Sequence, residues 1–116
     1  MSKCFVVRTR GRGAYDVTEE LRRIAREVGE GLLLAWVEDP LTSLITIEYE
    51  ANLIADLGEL LEKLPGGPYV KNALFPKALV LPVKGGRLAL GSFQQVALLD
   101  LNEEPGERRV SVMVVR

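Results

Sequence analysis

The run Gly31–Val37 (Gly-Leu-Leu-Leu-Ala-Trp-Val) restricts the fold of this chain more than any other segment. It is of strand length, it opens on glycine, and Asp39-Pro40 interrupts the chain just beyond it. A run this short between two breakers reads as a strand rather than a helix. The lack of polar alternation predicts a strand buried on both faces, placed inside a sheet with neighbours on either side.

The rest of the chain supplies those neighbours. Lys3 to Thr9 is rich in β-branched and aromatic residues, and Ala14 to Val17 can pair back across a turn marked by Gly11 and Gly13. From Ser43 to Tyr49, Ile45, Ile47 and Tyr49 alternate with Thr46 and Glu48. Four further strands are expected at Ala78–Val83, Arg87–Leu90, Gln95–Leu101 and Arg109–Val115. Two stretches carry helical spacing instead. Val17, Leu21, Ile24, Ala25 and Val28 form one stripe, with Thr18 expected as N-cap and Gly29 as the stop. Leu53, Leu57, Leu60, Leu61 and Leu64 form the other over 51–64, and Pro65-Gly66-Gly67-Pro68 ends it. Tyr69 to Lys77 reads as loop. Strands dominate without regular βαβ alternation, so the class is α+β, as a single domain over 1–116.

Composition narrows the chemistry. The net charge is −1, which gives no electrostatic reason to expect a nucleic acid or an acidic membrane as partner. No apolar run approaches the roughly 18–20 residues that cross a bilayer, and residues 1–15 lack the order of a signal peptide, so the expected location is cytoplasmic. Compact loops and many charges suggest a thermophilic source. The chain has no histidine, so it lacks the side chain that titrates near neutral pH and most often binds zinc. Cys4 is the one cysteine. It sits beside Phe5 and Val6 and is expected to be a buried structural thiol. No cofactor is implied.

The polar candidates each carry two readings. Arg8, Arg10 and Arg12 alternate, and in a strand they would face one way, as a polyanion-binding stripe or as charges guarding an edge strand. Lys84-Gly85-Gly86-Arg87 lacks the spacing of a phosphate loop and is flanked by strands, so a hairpin turn is expected. Glu48 and Asp56 could converge across a strand-to-helix junction as an acid–base or metal pair. Asp39 before Pro40 is ordinary turn chemistry.

The segment Leu79 to Gln94 resembles the YjbQ-like family, whose members carry a Pro-Val-x-x-Gly-x-Leu-x-Leu-Gly-Thr-Trp-Gln motif. Here it reads from Pro82-Val83 through Gly91-Ser92-Phe93-Gln94, followed by a strand and the paired Arg108-Arg109. Ser43 to Glu48, Asp56-Leu57 and Asp16 to Glu20 also match, so the resemblance covers nearly the whole chain. It implies antiparallel sheets in a sandwich with two main helices, a homotrimer with pockets near subunit boundaries, and a thiamine-phosphate-synthase activity reported as secondary. The family histidines correspond to Asp39, to Lys71 and to a deleted segment.

Three functional expectations follow. The first is a homotrimer that keeps a polar pocket without the histidine chemistry and binds a small anionic ligand. Ser92 and Gln94 would line that pocket, and Arg109 with Lys84 would neutralise the anion. The second is an enzyme holding a divalent cation between Asp39, Glu48 and Asp56. The third is a partner-binding module using Arg8, Arg10 and Arg12.

Overall fold

The computed structural model describes residues 2–116, in which β1 (Ser2–Thr9) and β2 (Gly13–Asp16) precede α1 (Thr18–Val28). Next come β3 (Gly31–Val37), β4 (Thr42–Glu48), α2 (Ala51–Lys63) and a short α3 (Pro68–Asn72). The chain closes with β5 (Ala78–Lys84), β6 (Arg87–Leu88), β7 (Gln94–Asp100) and β8 (Gly106–Val115). The strands form a five-stranded sheet in the order β1-β8-β3-β5-β6 and a three-stranded sheet in the order β2-β7-β4, with antiparallel pairing throughout. The expected α+β class therefore holds.

Strand parity builds the core. Leu33, Ala35 and Val37 of β3, Leu81 and Val83 of β5, and Val110 and Val112 of β8 turn to one side of the large sheet. There they meet Val96 and Leu98 of β7 and the α1 stripe of Leu21, Ile24, Ala25 and Val28. The opposite parity of β7, Leu99 and Leu101, packs with Leu61 of α2. The small sheet is thus sandwiched between the large sheet and α2, and its central strand is buried from Val96 to Asp100.

Local chemistry sets the ends of the elements. Gly29 stops α1 at φ 78°, a left-handed angle that glycine tolerates, with its N–H donating to Ala25. Gly85 and Gly86, both at positive φ, form the two-residue turn between β5 and β6, opposite Lys84 and Arg87, as expected for a hairpin.

Several expectations are corrected. β3 is buried on one face only, because Leu32, Leu34 and Trp36 point to the uncovered side of the large sheet. Cys4 shares parity with Val6 and Arg8, and so is exposed on that outer face rather than buried. Thr18 is the first helical residue and makes no N-cap bond. Its buried hydroxyl instead accepts the Val96 N–H and donates to Asp16, pinning α1 to β7. Tyr69 to Lys77 is not all loop, since α3 reaches into it with Pro68 in its first turn. In α2 only Leu61 is fully buried, and Leu60 is 52% exposed, because a three-stranded sheet is a narrow seat for a leucine face this wide.

Candidate functional site

The candidate residues fall at opposite ends of the sheet pair. At the end where β3 runs into β4, Asp39 Oδ1 accepts the Leu41 N–H at 2.9 Å, the Asx turn anticipated for Asp-Pro. It also accepts from Asn102 Nδ2 at 3.2 Å. Asn102 in turn donates through its backbone and side chain to Asp100 Oδ1. Asp100 is fully buried, and its other oxygen takes Thr9 Oγ1 at 2.7 Å and Arg108 Nε at 2.9 Å. The result is a connected array, Arg108–Asp100–Asn102–Asp39, with every partner satisfied. Among the described residues no buried side-chain nitrogen or oxygen lacks a hydrogen bond.

Two further groups brace the same turn. Buried Asn72 of α3 accepts from Ser43 Oγ and donates to the Pro40 carbonyl. Lys77 Nζ donates to the carbonyls of Asp39 and Thr42. Burial holds the Lys77 amine below the ordinary lysine value, and the Asp39 charge only partly restores it. Beside this turn lies a hollow of about 220 Å³ lined by Glu38, Asp39, Glu107, Arg108, Arg109 and Ser111. Alternation along β8 splits the arginine pair. Arg108 points inward to Asp100, while Arg109 and Ser111 face the outer side of the large sheet.

At the other end Gln94 begins β7 and pairs across with Glu48, the last residue of β4. Ser92 is exposed in the preceding turn, and Lys84 ends β5 opposite Arg87. Two open hollows meet here, sharing Arg22 and Leu88. One, of about 660 Å³, runs between α1 and the Gly85-Gly86 turn and is lined by Arg22, Arg26 and Arg87. The other, of about 440 Å³, reaches Phe93 and Gln94. Phe93 is 84% exposed and sits at φ 64°, a left-handed conformation that costs a bulky residue about 1–3 kcal/mol.

The two proposed constellations therefore do not assemble within one chain. Asp39 precedes β4 and Glu48 ends it, so six strand steps, roughly 20 Å, lie between them. Asp56 is exposed on α2, and no cluster of three cation-ligating side chains occurs among the described residues. The ligand set divides in the same way. Lys84 lies one step beyond the Gly31 end of β3, whereas Arg109 lies one step beyond its Val37 end, roughly 27 Å along the strand. Nor is there an arginine stripe on one strand. β1 ends at Thr9, Arg8 pairs with Glu107 and Arg12 with Glu103, and Arg10 lies in the intervening turn. β1 is an edge strand, where charge guards against unwanted pairing.

The residues that sequence reasoning missed are Asp100, Asn102 and Lys77 at one end, and Arg22 and Arg26 at the other. Asp100 did carry a signal, because it shares parity with Val96 and Leu98, and an aspartate on an apolar face needs partners.

Two antiparallel sheets of five and three strands, with one stripe of α1 packed into their shared core and α2 on the far side of the small sheet, define an α+β protein with polar hollows at the sheet ends. The chain belongs to the YjbQ family, described as UPF0047 protein YjbQ-like, whose model matches residues 3–116. It is 32% identical over 111 residues to a UPF0047 protein of Archaeoglobus fulgidus, covering 84% of this chain and 86% of that one. A UPF0047 protein of Mycobacterium tuberculosis is 26% identical over 124 aligned positions, covering 94% and 93%. Among solved structures, a hypothetical protein of Aeropyrum pernix superposes with a TM-score of 0.90 at 28% identity, covering 99% and 98%. A structural-genomics target from Clostridium acetobutylicum superposes at 0.92 with 17% identity over the whole of both chains, a likeness of fold alone. No helix among the described residues is long and apolar enough to cross a membrane.

Proposed function

We propose that this chain works as a homotrimer that binds a small anionic ligand in the Asp39–Arg109 hollow and does not carry out imidazole-based chemistry on it. The observation that carries the reading is the outer face of the large sheet. Leu34 lies between Met113 and Val80, Leu32 lies opposite Val115, and Val6 and Cys4 extend the patch onto β1. Val6, Val80 and Met113 are each about half-exposed or more. An apolar face of this extent calls for cover, and further copies of a chain with a net charge of −1 can supply it without charge conflict.

Arg109 and Ser111 share the outer parity of Met113 and Val115, so the hollow opens at the rim of the same face and would lie at a subunit boundary. Arg109 would neutralise the anionic group, Ser111 would hydrogen-bond it, and Asp39 or Glu38 would accept a donor from the same ligand. Glu107 is turned toward Arg8, and Arg108 is committed to Asp100. The Lys77 amine is committed to the Asp39 and Thr42 carbonyls, and the chain has no histidine to act as an imidazole base.

Light scattering on the eluting species tests the assembly. A mass of three chains is expected, with dissociation on Leu34→Glu, and a parent protein that runs as a monomer would sink the reading. Phosphate titration followed by NMR tests the hollow. Shifts are expected at Ser111 and Asp39 that vanish in Arg109→Gln.

A further inference from the structure

The Asp39–Arg109 hollow leaves the opposite end of the sheet pair unexplained, and three features there point one way. Arg22 and Arg26 project from α1 and Arg87 from β6, some 60 residues on in the sequence, and all three line one groove of about 660 Å³. That volume falls in the usual range for small-molecule sites, about 300–1,000 Å³. Next, the carboxylates of this region are engaged. Glu27 pairs with Lys3, Glu30 accepts the Gly85 N–H, and Glu19 pairs with Arg22 at 3.1 Å. Arg26 and Arg87 take part in no ion pair among the described residues. With Glu19 set against Arg22 and Glu30 against one of the other two, the concave space keeps a net positive charge, which attracts anions. Last, the adjoining hollow, bounded by the same Arg22 and Leu88, leads to Phe93, an aromatic ring that is held in a strained backbone conformation and packs against little.

The glycine turn itself is not the anion cradle, since the Gly86 N–H is bonded to the Gly29 carbonyl and the Gly85 N–H to Glu30. The turn instead fixes Arg87 against the C-terminal half of α1, and guanidinium groups remain as the donors. Guanidinium forks suit phosphate oxygens, and an exposed ring suits the face of a flat heterocycle. We infer that this groove binds a nucleotide-like ligand, with its phosphates on Arg26 and Arg87, assisted by Arg22, and its base against Phe93. The site is separate from the hollow at Asp39 and Arg109 and does not depend on that hollow binding anything.

Calorimetric titration of the full chain with ADP, with pyrophosphate and with adenosine tests the inference. ADP and pyrophosphate should bind, more weakly as salt is raised, and adenosine should bind poorly. Replacing each of Arg26 and Arg87 by Gln should weaken both anions about tenfold per arginine. Phe93→Ala should weaken ADP about tenfold and leave pyrophosphate unchanged. Binding that remains in Arg109→Gln should still depend on Arg26 and Arg87, which separates this groove from the other hollow. Should the double glutamine variant fold poorly, Arg26→Lys with Arg87→Lys should keep the charge and retain reduced binding. No heat with either anion at millimolar concentration would overturn the inference, as would undiminished binding in the double variant or complete loss of binding in Arg109→Gln. An ADP affinity indifferent to Phe93→Ala would overturn the assignment of the base.

Discussion

Both ends of the sheet pair carry charge, and they use it in opposite ways. At the Asp39 end, Asp100, Arg108, Asn102 and Thr9 are buried or nearly so and satisfy one another, so the turn that carries Asp39 is clamped from inside. At the Gln94 end, Arg22, Arg26 and Arg87 stand around open space, and Phe93 is held in a conformation its own side chain disfavours. One end puts its charges into stability and presents a rigid rim. The other leaves Arg26 and Arg87 without an ion pair among the described residues, around open space.

That contrast can be broken by mutation. Asp100→Ala strips the partner from Arg108 and two acceptor oxygens from their donors, and it should cost about 3–5 kcal/mol of unfolding free energy in a denaturant titration. A loss below about 1 kcal/mol, the size of an ordinary substitution, would mean that the Asp39 end is not clamped as described.

A pH series probes the same end more gently. The Lys77 amine is held below its ordinary value of 10.5, so the unfolded chain binds the proton more tightly than the folded one. Below the folded value both states are charged and the fold bears the full desolvation cost. Between that value and 10.5 stability should rise with pH. Lys77→Met should remove that rise when unfolding free energies of the two proteins are compared across the alkaline range.

At the Gln94 end the expected signs are different. Phe93→Gly relieves the left-handed strain at the cost of some chain entropy, and it should raise stability by up to about 1 kcal/mol. Arg26→Gln should change the unfolding free energy least, within about 0.5 kcal/mol, because no ion pair is lost. A large loss from either change would show that this end is also built for stability.

What the sequence disclosed follows the distinction between local and distant information. All eight strands and both long helices were readable because apolar alternation, turn residues and helical spacing are written within at most fourteen residues. The hairpin at Gly85-Gly86 was legible for the same reason. Partnership was not. Thr9 and Asp100 meet from 91 positions apart, and nothing in either neighbourhood names the other. The site residues suffered most from this, since Asp39, Glu48, Lys84 and Arg109 could be grouped by chemistry and only the strand register separates them. β3 is instructive in another way. Its apolar run promised cover on both faces, and the single chain covers one. The mismatch between that promise and the bare outer face is the observation on which the proposed homotrimer rests.

The position of β8 has a consequence for how the protein is made. It is the last strand in chain order, yet it lies between β1 and β3, pairing Ser2 with Met113 and Val37 with Val110. While a ribosome is still synthesising the preceding residues, β1 has no partner in its sheet, β3 offers an open edge, and the core lacks Val110 and Val112. The large sheet can therefore close only after most of the chain has emerged, and contacts so distant in sequence form slowly. Chains interrupted before Gly106 would display unpaired edges beside leucine-rich surface, the combination that drives nascent proteins to aggregate or to seek chaperones.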